Sequence, residues 1–131
     1  MKLIIVDDSK VFRETVRDYL ENELKHQVLA EAESGEQFLE LPNIMEADVI
    51  LMDIEMGEID GIHATKKLLY RLPYAKIIAV TMLLEKVFLE QLLGAGFKGC
   101  VFKNDVFIEL EKALKEVVSG NLFFSTNIKI A

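Results

Sequence analysis

Acidic side chains directly follow two short apolar segments of the chain. Residues 2–6 lead into Asp7 and Asp8, and residues 49–52 lead into Asp53. A carboxylate is costly to bury without a partner, so acids at the end of a buried segment need a cation or one another as compensation. Carboxylate oxygens are ligands that suit Mg²⁺. The pattern therefore predicts a metal site with a chemical role.

Short apolar runs alternate with segments of helical periodicity along the chain, which is typical of an α/β fold. Five runs are candidate strands, and most are continuously apolar, as expected of parallel strands covered on both faces. They span residues 2–6, 27–32, 49–52, 77–80 and 99–102. Right-handed crossovers place all of them parallel, and ligands bind outside the carboxyl ends of the strands in such sheets.

Two further polar residues are predicted at the same edge of the sheet. Thr81 follows the fourth run and Lys103 follows the fifth. Taken singly, the threonine can be a helix cap and the lysine a solvated surface amine. Together with the acids they supply what phosphoryl transfer requires: a carboxylate nucleophile, oxygen ligands for Mg²⁺, and a hydroxyl and an ammonium group for the transferred oxygens.

Helical periodicity and end signals predict five helices. Ser34 with Gln37 resembles a capping box that opens the second helix. The third helix ends before Pro73, and the fifth ends at Gly120. The fourth, near residues 84–93, has no wide polar face, which predicts either a deeply packed helix or an exposed apolar strip for a partner.

Composition limits the classes of function. The 131 residues carry a formal net charge of −7, which repels a phosphate backbone, so the chain is not expected to bind DNA by itself. A single cysteine, Cys100, excludes an internal disulfide and a multi-cysteine zinc site, and we expect it to be a small buried hydrophobe. No run suits a membrane span or a secretory signal, which predicts a cytoplasmic domain without membrane contact.

The motifs resemble those of response-regulator receiver domains, the phosphorylatable modules of two-component signalling. The resemblance covers residues 2 to about 120. Its motifs are Val6-Asp7-Asp8, Met52-Asp53-Ile54-Glu55-Met56 with Asp60-Gly61-Ile62, Val80-Thr81 and Phe102-Lys103. The resemblance implies a flavodoxin-like fold with a doubly wound, five-stranded parallel sheet of order 2-1-3-4-5 and five helices.

The resemblance also implies residue roles. Asp53 would be the phosphoacceptor, and the donor would be a phosphohistidine on a sensor histidine kinase. Asp8, Asp53 and the backbone carbonyl of Glu55 would bind Mg²⁺, while Asp7 would hold a metal-bound water. The chain would accept a phosphoryl group and at most lose it slowly by autodephosphorylation, so it would not be an enzyme in the ordinary sense.

Thr81 and Lys103 would contact the phosphoryl oxygens and report that the group has arrived. Four nearby residues depart from the usual receiver pattern. Asn104 stands where proline is common, so the usual cis peptide bond is not expected. Gly57 stands where proline is common, which should loosen the loop after the phosphoacceptor. Met82 stands where a small residue is usual and is expected to slow phosphoryl exchange by crowding the site. Cys100 replaces an aromatic residue that usually takes part in switching.

Residues 94–99, the fifth helix and residues 120–125 resemble LuxR/NarL-type regulators, whose receiver precedes a helix-turn-helix DNA-binding domain. This implies a receiver domain over residues 1–120, and at 121–131 either a C-terminal tail or the start of a linker to an output domain that the sequence lacks. Phosphorylation would change the surface of helix four, strand five and helix five, favour a homodimer, and regulate transcription through that output domain.

Other interpretations stay open. A stand-alone receiver or a pseudo-receiver would act only as a protein-binding module, and in the pseudo-receiver Met82 would block the chemistry. A Mg²⁺-dependent phosphatase of the haloacid-dehalogenase type would also use an aspartate nucleophile, but it needs a second aspartate at the position of Glu55. A flavin-binding flavodoxin is disfavoured because the loop at residues 7–9 is acidic where a flavin phosphate needs amides and hydroxyls.

Overall fold

A parallel sheet lies between two layers of helices. The computed structural model describes residues 1–56, 60–82 and 86–124, except for the side chains of residues 86–88. Its strands are β1 (Lys2–Val6), β2 (Gln27–Ala32), β3 (Val49–Asp53), β4 (Ile77–Thr81), β5 (Gly99–Phe102) and β6 (Phe123–Phe124). All neighbouring pairs are parallel, in the order β2-β1-β3-β4-β5-β6. The predicted order of the first five strands is confirmed.

The sheet has six strands, so the predicted five-stranded sheet is wrong by one edge strand. Phe123 and Phe124 pair with Gly99 and Cys100, and the Phe123 N–H donates to the carbonyl oxygen of Lys98 at 3.1 Å. The two rings alternate, so one packs against each apolar layer beside β5. Two residues are too few for this alternation to be recognised in the sequence.

Five α-helices occur in the described part of the chain, as predicted. They are α1 (Lys10–Asp18), α2 (Gly35–Leu39), α3 (Gly61–Arg71), α4 (Lys86–Ala95) and α5 (Val106–Val118). A π-helical turn, Tyr19–Glu23, continues α1, and two short 3-10 turns, Ile44–Glu46 and Lys103–Asp105, precede β3 and α5. Within the described ranges, none of the helices combines the length and the apolar character that a membrane span requires.

Polar side chains fix where three of the helices begin. Ser9, Ser34 and Asp60 occupy N-cap positions and accept hydrogen bonds from backbone N–H groups three residues on, at 3.2, 3.1 and 2.8 Å. Each bond satisfies a donor that the first turn leaves unpaired and is typically worth about 1 kcal/mol. Gly120 has a positive φ of 95° just after α5, as expected of a C-terminal glycine.

Alternate residues of the central strands enter two separate apolar layers. Ile4 and Ile50 lie in the layer with α2, α3 and α4, whereas Leu3 and Leu51 lie in the layer with α1 and α5. Because both faces of these strands are buried, their sequences are continuously apolar. Burial of each such side chain is worth about 1.5–3 kcal/mol. This packing holds the strand ends that carry the acids.

One side of α4 is buried and another is exposed. Leu92 is 1% exposed, whereas Leu93 is 46% exposed. The other predicted members of an apolar strip, Leu84 and the side chains of Val87 and Phe88, lie outside the described residues. An apolar strip for a partner on this helix therefore stays a prediction.

We predict that replacing Gly99 with alanine destabilises the fold through β6. An added Cβ would lie 2.7 Å from the carbonyl oxygen of Phe123 and 3.4 Å from side-chain atoms of Ile78 and Val117, so the edge strand has to move. Overpacking of this kind usually costs about 1–3 kcal/mol. The free energy of unfolding should fall by that amount in urea denaturation.

Gly94→Ala is the matched control for this substitution. Gly94 lies in α4, and apart from its own helix backbone and chain neighbours no described atom lies within 4 Å of its added Cβ. Its replacement should raise the free energy of unfolding by up to about 1 kcal/mol, because alanine has the higher helix propensity. If both substitutions were equally stabilising, the pairing of β6 with β5 would be contradicted.

Candidate functional site

Three carboxylates converge at the carboxyl edge of the sheet. Asp7 and Asp8 follow β1, Asp53 ends β3, and one oxygen of each carboxylate lies within 4.8 Å of the others. The two strands are neighbours in register, with Val6 beside Met52. Asp7 and Asp53 are 1% and 5% exposed, whereas Asp8 is exposed. The acids predicted at this edge thus form one group that solvent reaches at Asp8.

Lys103 places its ammonium group beside two of these acids. Its Nζ lies 2.7 Å from Oδ2 of Asp7 and 3.6 Å from Oδ2 of Asp53. The ring of Phe12 on α1 lies 4.6 Å from Nζ, which is within the range of a cation–π contact. The sequence predicted Lys103 at this site. It missed the contact with Phe12, because the helical spacing of this residue indicates only a core position.

The Asp53 carboxyl group is harder to ionise than an ordinary aspartate. Burial raises its pKa from 3.8 to about 7, and the negative charges of Asp7 and Asp8 contribute to the rise. The ammonium group of Lys103 and the N–H of Glu55 act in the opposite direction without cancelling it. A cation at the site would offset both the burial of this carboxylate and its repulsion by Asp7 and Asp8.

The chain turns closely after Asp53, at the end of β3. The Glu55 N–H donates to Oδ1 of Asp53 at 3.4 Å, and the Gly61 N–H donates to the carbonyl oxygen of Ile54 at 2.8 Å. A Cβ on Gly61 would lie 2.1 Å from the Asp53 carbonyl oxygen, so glycine is required for α3 to begin this close to β3. Gly57 lies outside the described residues. The metal-binding role of the Glu55 carbonyl stays a prediction.

Thr81 ends β4, the strand next to β3. Asp53 pairs with Val80, so Thr81 lies one residue further toward the same edge, and it is buried. The next residue, Met82, is 55% exposed, so its side chain is largely in solvent at that edge. Its expected effect on phosphoryl exchange stays a prediction.

Cys100 is a buried thiol, as the sequence predicted. Burial raises its pKa to about 12, so the thiol stays neutral. The register places it between Ala79 of β4 and Phe124 of β6. Phe124 packs against the apolar layer that contains Cys100. Phe124 of β6 therefore lies beside Cys100, the position at which the receiver pattern usually has an aromatic residue.

Sequence reasoning missed one residue that contacts the acidic loop. Arg13 of α1 donates from Nη1 to the carbonyl oxygen of Asp7 at 2.6 Å and from Nε to Oε1 of Glu31 at 3.0 Å. The Asp7 N–H donates to the carbonyl oxygen of Ala32 at 3.0 Å, and its Oδ1 accepts from the Ser9 N–H at 2.8 Å. The only sequence signal was an arginine one turn after the N-cap, which does not specify a partner.

The carboxylates fit a hard divalent cation. Mg²⁺ is usually bound through one or two carboxylates and keeps several waters. Asp7 forms the shorter ion pair with Lys103, which makes Asp8 and Asp53 the better-placed ligands. Burial, and after it the negative charge of Asp7, raise the pKa of Asp53, and a bound cation would offset both effects. The predicted ion, Mg²⁺, therefore suits the residues present.

The response regulator receiver domain family matches residues 3–115 of this chain. The response regulator GacA from Pseudomonas aeruginosa is 34% identical over 128 residues, a match that covers 98% of this chain and 60% of that protein. The chain spans about 54% to 60% of the length of the curated relatives it matches first. Relatives of this kind confirm the predicted resemblance to LuxR/NarL-type regulators over the receiver part.

Solved structures share the fold. A two-component response regulator of the LuxR family from Aurantimonas sp. SI85-9A1 superposes with a TM-score of 0.90 at 28% identity, covering 97% of this chain and 91% of that chain. The RcsB response regulator of Salmonella typhimurium superposes with a TM-score of 0.86 at 27% identity, covering 98% of this chain and 64% of that chain. Fold, acidic site and sequence match agree, and the chain belongs to the response regulator receiver domain family.

Proposed function

We propose that the chain is a phosphorylation-dependent signalling switch in which Asp53 accepts a phosphoryl group from a sensor histidine kinase with the help of Mg²⁺. The observation that carries this proposal is the convergence of three carboxylates with the ammonium group of Lys103, which lies 3.6 Å from Asp53. Membership of the receiver family supports the same role.

Asp53 is the nucleophile in this proposal. One carboxylate oxygen attacks the phosphorus, the bond from phosphorus to the histidine nitrogen breaks, and its electron pair stays with the imidazole. The attack requires ionised Asp53, although burial and the charge of Asp7 favour the protonated form. Mg²⁺, when bound, would neutralise the acids and the transferred oxygens.

The other site residues bind and orient in this proposal. Asp8, Asp53 and the backbone carbonyl of Glu55 would hold the ion, and Asp7 would hold a water bound to it. Lys103 exchanges part of its contact with Asp7 for a phosphoryl oxygen, and the Thr81 hydroxyl donates to another. The product stays covalently attached, so the chain acts as a phosphoacceptor with slow autodephosphorylation and not as a turnover enzyme.

The proposed output is regulation of transcription. The net charge of −7 disfavours direct contact with DNA, whereas RcsB has been seen as dimers bound to DNA. We therefore propose a cytoplasmic receiver that forms a homodimer on phosphorylation. Phosphorylation would change the surface formed by α4, β5 and α5. The receiver would act on DNA through an output domain that follows residues 121–131. In this proposal the receiver domain ends at residue 120, and β6 is an edge strand just beyond that boundary.

Phosphorylation of Asp53 is tested directly with a small acyl phosphate and Mg²⁺. We expect intact-mass spectrometry to show one added phosphoryl group in the wild-type protein and none in Asp53→Asn. Asp48→Asn is the matched control and should be phosphorylated normally, because Asp48 lies at the opposite edge of the sheet, where its Oδ2 accepts from the Lys2 N–H.

Other outcomes of the same assay identify the alternatives. Mg²⁺ binding without an adduct would indicate a pseudo-receiver, and multiple turnover on small phosphate esters would indicate a phosphatase. An adduct that persists in Asp53→Asn would show that another residue is the phosphoacceptor. If the wild-type protein showed no Mg²⁺ binding and no adduct, the proposed signalling switch would be wrong.

Without divalent cations, stability should decrease as the pH rises toward 7. Asp53 has a pKa near 3.8 in an ordinary environment and about 7 in the folded protein, so between these values the folded state keeps a proton that the unfolded state releases. The stability from this raised pKa is fully present below about 3.8 and is lost as the pH rises through about 7. Urea denaturation in a chelator should show this decrease in the wild-type protein and a smaller one in Asp53→Asn. Equal pH dependence of the two proteins would contradict the raised pKa.

A further inference from the structure

We infer that Arg13 is a positioning residue that holds the peptide group between Asp7 and Asp8, so that the acidic loop presents its carboxylates toward Asp53. The inference rests on the proposed role of this loop in binding Mg²⁺. It concerns a residue of α1 that bears no ligand atom of its own, because a guanidinium group has donors only.

The contact with the loop is made through the backbone. Nη1 of Arg13 donates to the Asp7 carbonyl oxygen at 2.6 Å, and the arginine side chain is only 12% exposed. That carbonyl belongs to the same planar peptide group as the N–H of Asp8. Holding the oxygen therefore fixes the plane from which the Asp8 side chain leaves the backbone.

The other end of Arg13 is fixed to the sheet. Its Nε donates to Oε1 of Glu31 at 3.0 Å, and Glu31 lies on β2 beside Ile5 of β1. Because a guanidinium group donates in a rigid planar fork, bonds to two acceptors at once define its orientation. The sheet, Glu31 and Arg13 thus form a continuous link to the acidic loop.

Arg17 provides an internal comparison. It lies one turn further along α1 and bonds the second oxygen of Glu31 from Nη1 at 2.7 Å, while its Nε bonds Glu21 at 3.1 Å. Its contacts therefore run along the helix and β2, away from Asp7. Both arginines pair with Glu31, but Arg13 alone of the two also bonds the loop.

The test compares Arg13→Lys with Arg17→Lys, which both keep the positive charge and lose the planar fork. Mg²⁺ affinity is measured by isothermal titration calorimetry. We expect Arg13→Lys to weaken binding by about tenfold, the usual cost of losing a residue that orients a metal ligand, and saturating Mg²⁺ to restore the extent of phosphorylation. Arg17→Lys should bind Mg²⁺ nearly as the wild type does.

A second readout needs no metal. In the metal-free protein, Arg13→Lys should shift the NMR signals of the Asp8 and Ser9 amides and speed their hydrogen exchange, whereas Arg17→Lys should leave both unchanged. If Arg13→Lys fails to fold, Glu31→Gln replaces it and should give a smaller effect in the same direction. Equal effects of the two arginine variants, or none from Arg13→Lys, would overturn the positioning role.

The same experiments separate this inference from the proposed function. A wild-type protein that is phosphorylated normally, with an Arg13→Lys variant of unchanged Mg²⁺ affinity and amide signals, would refute the inference alone. A wild-type protein that takes no phosphoryl group, with amide signals that depend on Arg13 and not on Arg17, would refute the proposed function alone.

Discussion

Negative charge held at the edge of a buried sheet is the constraint on which the site depends. Asp7 and Asp53 are both buried, and the Lys103 ammonium group lies close enough to balance one of them well. The pKa of Asp53 is raised, first by its burial and then by the negative charge of Asp7. This arrangement lowers the stability of the folded protein, because an edge with fully paired charges or with apolar side chains would be more stable. It suits the proposed function, in which the acids bind a cation before a phosphoryl group reaches Asp53.

The fold tolerates this charge because the surrounding frame is rigid. β1 and β3 are packed on both faces, so the backbone at Asp7 and Asp53 has little freedom to move apart. Gly61 lets α3 begin against the carbonyl of Asp53, and Arg13 holds the carbonyl of Asp7. The backbone is thus bonded at Asp7 by Arg13, and beside Asp53 by the bond from the Gly61 N–H to the Ile54 carbonyl oxygen.

The sequence could predict the sheet edge because parallel buried strands leave a clear signal. The runs at 2–6, 27–32 and 99–102 match the observed strands, and β3 and β4 extend one residue further, to Asp53 and Thr81. The sequence could not predict Arg13 or Phe12 as neighbours of the site, because their partners lie on other elements and are chosen by packing. The sequence did not predict β6 for a different reason, because a two-residue strand has no periodicity to detect.

The sixth strand and the missing aromatic residue at Cys100 have a common physical explanation. β6 approaches β5 so closely that a Cβ at Gly99 would meet the Phe123 carbonyl oxygen, so small residues on β5 favour this pairing. Phe124 then packs against the layer that contains Cys100, and a large ring at position 100 would compete with it for that space. The aromatic volume at this edge of the sheet is therefore supplied by the strand that follows α5, which is also the part of the chain that leads toward residues 125–131.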